Sequence, residues 1–461
     1  MIPIVGILGG GPCGLGAAWR LNEVGHTDWF LLEKEDQWGG LSASFRDPKG
    51  YTWDIGGHVL FSHYEYFDNV LDRIMTPRTS WLQHERESWI RIQNQWVPYP
   101  FQMNIRHLEP ESLMECIRGI IDTYRNSSHC EPKNFDEWIQ STFGTGLAAL
   151  FMRPYNRKVW GYPLDQMSWS WVGERVATVD LVRIIENYVY SRDDVSWGPN
   201  NSFRFPRYGG TGSIWAKLAE SLPKDKLRLQ EEVVKIDLDK RKIHTRSGRE
   251  AQYDYVISTM TLPHLCKISN VAETFPRFRD LAASSTHVIG IGIKGRPPEE
   301  LQTKCWMYFP EDNCPFYRVT HFSHYSPNNV PDIDVSWSLM AEVSETSFKR
   351  VNKVDIVNHV VQGCVNAGLL SDSSQIENVW YRHFHDTYPI PTLERDEVVL
   401  PILDFFEKRG VFSRGRMGAW KYEVGNMDHS FMQGKECVDR IISGTEEITL
   451  NYPHIVNAPP V

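Results

Sequence analysis

The chain carries no C-x-x-C pair among its eight cysteines, Cys13, Cys116, Cys130, Cys266, Cys305, Cys314, Cys364 and Cys437. At 461 residues it can bury enough apolar surface to be stable without crosslinks, so the cysteines read as reduced thiols of a cytosolic protein. No window approaches the roughly 18 to 20 unbroken apolar residues of a membrane-spanning helix, and mean hydropathy is negative. The opening Met1-Ile2-Pro3-Ile4 has no basic stretch, long apolar run or small-residue cleavage site, so no secretory signal is expected and the localisation expected is cytoplasmic. Excess positive charge is lacking too: the net charge of −9 argues against a nucleic-acid binder, and an anionic ligand would need a local patch of cations. No internal repeat or low-complexity tract interrupts the chain. Aromatic residues are abundant, at 12% with 17 tryptophans, which suits a protein that stacks flat rings. The length implies two or three units with large cores.

The first motif lies at the N-terminus. Ile2 to Leu8 is a short apolar run bounded by glycine and reads as a buried parallel strand. Gly9-Gly10-Gly11-Pro12-Cys13-Gly14 follows, a G-x-G-x-x-G that opens the helical pattern Leu15 to Leu21. Gly9 serves the tight turn, Gly11 the close approach of a pyrophosphate to backbone N–H groups, and Gly14 the packing of helix on strand. The helix N-terminus supplies an anion site. A second apolar run, Trp29 to Leu32, ends in Glu33, placed where a carboxylate accepts hydrogen bonds from an adenosine ribose. A glycine-rich turn of an ordinary α/β protein is the bland alternative; strand, helix and acid together favour a dinucleotide. Gly39-Gly40, soon after Glu33, resembles the second glycine pair of glutathione-reductase-like and amine-oxidase-like flavoproteins and points to FAD rather than a nicotinamide cofactor.

Further along, Val233 to Asp237, Lys242 to Thr245 and Tyr255 to Ser258 read as strands that return to the FAD-binding part, which makes that part discontinuous. Glu111 to Tyr124, Phe135 to Thr142, Gly146 to Phe151 and Gly173 to Tyr190 show helical spacing and form a helical insert. Short alternating or aromatic runs, His287 to Ile291, Cys305 to Phe309 and Trp337 to Met340, suit an antiparallel sheet. The fold class expected is α/β plus α+β. The FAD-binding Rossmann-like domain is placed at 1–82, 227–300 and 414–461, the helical domain at 107–200, and the sheet domain at 83–106, 201–226 and 301–413.

Longer motifs are more specific. Gly56-Gly57-His58 through Tyr64, Trp96 through Gln102, Phe151 through Asn156 with Trp160, Gly173-Glu174-Arg175-Val176, Trp197 through Asn200, Tyr308 through Arg318, and Trp420 through Asn426 resemble the UDP-galactopyranose mutases of the longer eukaryotic type, over nearly the whole chain. The resemblance implies an FAD-binding domain, a helical domain and a six-stranded antiparallel sheet around one active site. It also implies interconversion of UDP-galactopyranose and UDP-galactofuranose without net redox change, in which N5 of reduced flavin attacks the anomeric carbon, displaces UDP and forms a flavin–sugar iminium. NADPH is the implied reductant. The same chemistry on another UDP-sugar, such as UDP-arabinopyranose or an N-acetylated hexose, and an amine-oxidase-like FAD oxidoreductase stay open. The oligomeric state is not readable.

Residue roles follow from the same resemblance. Arg175 and Arg318 match the two diphosphate arginines, a task suited to guanidinium forks. Tyr308, Tyr388 and Tyr422 match phenols on the diphosphate, with Asn426 beside them. Tyr99, Gln102, Phe151, Asn156 and Asn200 match uridine and loop positions, and Trp160 lies near the sugar. His58, after Gly56 and Gly57, belongs to the segment against the flavin. Arg416, Asn426 and Ser430 are expected at the flavin, and Asp428 or Ser430 is expected to cap the helix that runs to about Ile442. The chain departs from its relatives at Met427, where they have an amide, and in a short loop after Tyr325-Ser326-Pro327. No metal is expected, because His58, His63, His383 and His385 have no carboxylate or cysteine at ligand spacing.

Overall fold

The computed structural model describes residues 2–126, 131–195, 198 and 201–458. Val5–Leu8 is a strand buried at every residue, as a parallel strand covered on both faces must be. It lies at the centre of a five-stranded sheet in the order Val411–Ser413, Tyr255–Ser258, Val5–Leu8, Trp29–Leu32, Leu227–Arg228, with every pairing parallel. The chain leaves the central strand to one side through helix Pro12–Glu23 and returns to the other side only at Tyr255. The sheet therefore has a switch point where a crevice opens beyond the carboxyl end of Val5–Leu8. Helix Pro12–Glu23 crosses the long helix Met427–Ser443 almost backbone to backbone: a Cβ at Gly434 would lie 1.9 Å from the Cys13 carbonyl oxygen.

A larger sheet stands beside it. Its order is Ile376–Pro389, Ala283–Lys294, Ser336–Glu345, Arg318–His321, Trp306–Tyr308, Ser88–Ile92, Gln95–Pro98. The resemblance implied six antiparallel strands; the structure has seven, and Trp306–Tyr308 pairs with Ser88–Ile92 in parallel. The hairpin that adds the far edge turns on Gln93 and Asn94, both at positive φ, without the glycine that usually announces such a turn. Two expected boundaries also shift. Ala283–Lys294 falls inside 227–300 yet is an interior strand of this sheet, because its twelve residues pair with long strands on both sides. Helix Gly212–Glu220, inside 201–226, instead buries Ile214, Trp215 and Leu218 in the core under the parallel sheet.

The helical segment contains Pro110–Arg125, Phe135–Leu147, Arg153–Trp160 and Leu181–Val189. Asn134 starts the second of these by accepting from the Glu137 N–H at 2.8 Å. A π-helical turn, Ala148–Met152, bridges to Arg153–Trp160 and widens the helix where Phe151 faces inward. The continuous helix expected over 173–190 is not formed. Only a 3-10 turn, Gly173–Arg175, and helix Leu181–Val189 are present. Asp180 starts that helix afresh by accepting from the Arg183 N–H at 3.1 Å, and the β-branched Val176, Thr178 and Val179 before it favour extended chain.

Candidate active site

A cavity of about 1050 Å³ runs from the glycine turn after Val5–Leu8 to the face of the large sheet. Its floor includes Gly9, Gly11 and Glu33. The helix beginning at Pro12 has no side-chain cap, and neither does the helix beginning at Met427, whose Met427 and Ser430 reach the same cavity. Two long helices thus present free N–H groups and the positive ends of their dipoles to one space. Gly11 has no neighbour closer than 3.7 Å to the position of a Cβ, so backbone is open to a ligand there. Glu33 is buried and accepts from the Gly10 N–H at 2.6 Å and the Glu35 N–H at 2.8 Å, which fixes its carboxylate at the cavity edge. These features fit FAD: an anion seat for the pyrophosphate, a carboxylate for the ribose and a long slot for the ring.

Three of the expected glycines act behind the wall. Gly14, Gly39 and Gly56 do not line the cavity, whereas Gly40 and Gly57 do. A Cβ at Gly14 would stand 1.9 Å from the Gly9 carbonyl oxygen, Gly39 donates its N–H to Gly10 O at 2.8 Å, and Gly56 has φ +89° against the Glu342 carboxylate. His58 lines the cavity, and its buried Nδ1 has no hydrogen-bond partner among the described residues. Burial first, then the cations Arg416 and Arg318, pushes its pKa down to about 4, so the imidazole is neutral.

At the sheet end, strand register does the positioning. Arg318 sits opposite Tyr308 on one neighbour and opposite Glu342 on the other. Its Nε and Nη2 donate to the two carboxylate oxygens of Glu342 at 2.7 and 2.9 Å. Glu342 also accepts from the Tyr317 hydroxyl at 2.8 Å and the Gly57 N–H at 3.0 Å. Burial disfavours both charges, yet each ion's partner more than offsets it: Arg318 is held far above the usual guanidinium range and Glu342 below the usual carboxylate range. Arg175 comes from the 3-10 turn and lines the same cavity, with its guanidinium carbon 5.4 Å from the Tyr422 ring and a buried Nη2 that has no partner among the described residues.

The remaining expected residues line the same cavity as these arginines. Tyr99, Gln102, Phe151, Asn156, Trp160, Tyr308, Tyr388, Tyr422, Arg416 and Asn426 all line the cavity. Trp160 meets Tyr422 edge-on at 4.9 Å, Tyr422 lies 5.8 Å from Tyr388, and Arg416 sits 4.9 Å over Tyr388. Burial raises the pKa values of Tyr99, Tyr308 and Tyr422, so these phenols stay protonated and can donate. Gln102 has its amide nitrogen engaged by Ala177 O and Asn156 by Met152 O, which leaves their side-chain oxygens as acceptors. Asn200 lies outside the described residues. The capping expectation is overturned: Asn426 flanks the helix without a side-chain cap, and Asp428 instead accepts from the backbone N–H of His63 at 3.0 Å and contacts its Nδ1 at 2.7 Å.

Sequence reasoning passed over several lining groups. Tyr155, which stacks on Phe151 at 5.3 Å, and Tyr317 lie inside motifs that were recognised but given no role. Arg86 stands 5.2 Å over Tyr99. Glu342 had a usable signal, a carboxylate in the middle of the buried strand Ser336–Glu345, which demands a cation opposite.

A nucleotide-cofactor fold with an arginine-rich pocket over it defines a class, and residues 12–441 match it: the chain belongs to the flavin-containing amine oxidoreductases, a family of flavoproteins. A 15-cis-phytoene desaturase of Glycine max is 30% identical over 173 residues, which span 37% of this chain and 28% of the desaturase. A fatty acid isomerase of P. acnes shares the fold alone, with a TM-score of 0.65 at 14% identity over 95% of this chain and 99% of that one. The crystal structure of a reduced UDP-galactopyranose mutase is 44% identical, covers 99% of this chain and 98% of its own, and superposes with a TM-score of 0.96. Within the larger family, the chain belongs to the UDP-galactopyranose mutases. No helix among the described residues is long and apolar enough to cross a membrane.

Proposed function

We propose that this flavoenzyme interconverts UDP-galactopyranose and UDP-galactofuranose without net redox change, with Arg175 and Arg318 holding the diphosphate. The observation that carries the reading is that two arginines from different elements reach one cavity whose other end fits FAD. Bound and reduced, the flavin supplies the nucleophile for the anomeric carbon. FAD would be held by the Gly9–Gly14 turn, Glu33, Gly40, Gly57, Arg416 and Ser430.

The protein's own groups hold the leaving nucleotide and exclude water. Arg318 spends two N–H groups on Glu342 and keeps the others for phosphate oxygens, so its fork is already oriented when substrate arrives. Arg175, whose Nη2 has no partner among the described residues, adds a second guanidinium to the diphosphate. Tyr308, Tyr388 and Tyr422 donate hydroxyls to the diphosphate, and Tyr99, Gln102, Phe151 and Asn156 surround the uridine. Trp160 walls the sugar. Neutral His58 adds no charge beside the flavin, which preserves the flavin's electron-rich character on reduction. NADPH serves as the reductant.

The test is anaerobic: dithionite- or NADPH-reduced enzyme is mixed with UDP-galactofuranose and the UDP-sugars are separated by chromatography. Conversion is expected with reduced flavin only. Each charge-assisted phosphate contact contributes about 1.5–3 kcal/mol, so Arg175→Ala and Arg318→Ala should each lose roughly 10- to 100-fold in kcat/KM. Normal turnover in both variants removes the clamp. Steady consumption of reductant instead of isomerisation shows an oxidoreductase.

A further inference from the structure

Three interior and edge strands of the large sheet, Ser336–Glu345, Ala283–Lys294 and Ile376–Pro389, lie side by side, and their register sets His287 between His383 and Val343. The two imidazoles stack with centroids 4.3 Å apart and planes 12° apart. Glu345, near the end of its strand, reaches both: its Oε2 is 3.1 Å from His287 Nε2 and 3.3 Å from His383 Nε2. All three ligand atoms lie within 4.8 Å of one another. His383 Nε2 is buried and, despite the nearby carboxylate, has no hydrogen-bond partner among the described residues. On the far side of the other ring, His287 Nδ1 is 2.9 Å from the Tyr381 hydroxyl.

We propose that His287, Glu345 and His383 form a binding site for a divalent first-row transition-metal ion, with zinc as the ion that tests it. Around a tetrahedral zinc with bonds of about 2.0–2.1 Å, neighbouring ligand atoms are roughly 3.3 Å apart, the separation each imidazole nitrogen already has from Glu345 Oε2. Imidazole and carboxylate are both zinc ligands, and three protein ligands leave a fourth position open. The three come from paired strands that fix their backbones, and because the two imidazole planes are only 12° apart, the partly exposed His383 ring turns out of the stack for both nitrogen lone pairs to meet on one ion. Tyr381 supplies the outer partner: with the His287 proton on Nδ1 and donated to its hydroxyl, Nε2 presents a lone pair to the metal. One cation competes. Lys353 Nζ lies 3.2 Å from the same Glu345 oxygen, but its side chain is half exposed and can withdraw into solvent. A bound ion ties three strands together just ahead of Tyr388, which faces the substrate cavity.

FAD-loaded enzyme is stripped with EDTA and dialysed against micromolar zinc sulfate. Bound zinc is then measured by mass spectrometry, and the melting temperature is recorded with and without the ion. The wild type should retain one equivalent and melt higher with zinc. Glu345→Gln and His383→Ala should retain none and show no shift. Tyr381→Phe should weaken retention by about 10- to 100-fold. Lys353→Ala, which removes only the competing ammonium, should tighten it. Absence of zinc from the wild type and from Lys353→Ala overturns the proposal, as does equal retention by Glu345→Gln and His383→Ala. If Glu345→Gln does not fold, His383→Ala and Lys353→Ala, both altered at partly exposed positions, decide the matter by themselves.

Discussion

Replacing Glu342 by glutamine keeps the volume of a side chain that is 1% exposed and removes its charge. The carboxylate accepts four hydrogen bonds: two from Arg318 at 2.7 and 2.9 Å, one from Tyr317 at 2.8 Å and one from the Gly57 N–H at 3.0 Å. An amide has a single accepting oxygen, so its NH2 must face a donor wherever it points. The larger effect falls on Arg318, left at the cavity wall as a partly buried cation without a counter-ion. Breaking a buried pair in this way costs about 3–5 kcal/mol. Arg318→Met alone should cost a similar amount, because it strands the carboxylate. Removing both charges relieves the desolvation of both, so the double variant should be more stable than the sum of the singles by about 2–3 kcal/mol. Urea denaturation of the FAD-loaded protein, followed by tryptophan fluorescence, measures the cycle. Additive effects, or a Glu342→Gln protein within about 0.5 kcal/mol of wild type, would refute the claim that this pair carries the local electrostatics.

Gly14→Ala places a methyl 1.9 Å from the Gly9 carbonyl oxygen and should push the helix off the strand, so that the purified protein carries little FAD, read as the ratio of absorbance at 450 to that at 280 nm. Gly25→Ala is the control: φ is +71° but nothing lies within 4 Å, so about 1–2 kcal/mol of backbone strain is expected with normal flavin content. Acid should destabilise the fold through His321, whose pKa burial first, and His324 beside it, push down to about 3. The unfolded chain takes up this proton near pH 6.5 and the native state does not until about pH 3. The stabilisation is therefore complete above pH 6.5 and is lost on acidification at about 1.4 kcal/mol per pH unit. In His321→Asn, stability plotted between about pH 6 and pH 4 should have a shallower slope; an unchanged slope shows that His321 does not titrate as described.

The glycine turn, its helix and Glu33 were legible because each is a local device: a strand of four buried residues, a turn that only glycine fits and a carboxylate at the strand end lie within one short stretch of chain. Arg175 and Arg318 were legible from the motifs around them, although nothing in the chain around either shows that they face one space. Tertiary structure alone decided the rest. Arg318 meets Glu342 because strand register sets them opposite each other, and register depends on pairings between distant segments. Asp428 looked like a cap for its own helix, but it binds His63, a residue remote in sequence that packing brings against the helix start. His383 and His385 of the Ile376–Pro389 strand appeared to lack a carboxylate, and Glu345 reaches His383 from another strand. Local chain chemistry sets which conformations are allowed, whereas which buried charges neutralise one another is set by contacts whose energy exists only once the sheets have closed and water has left.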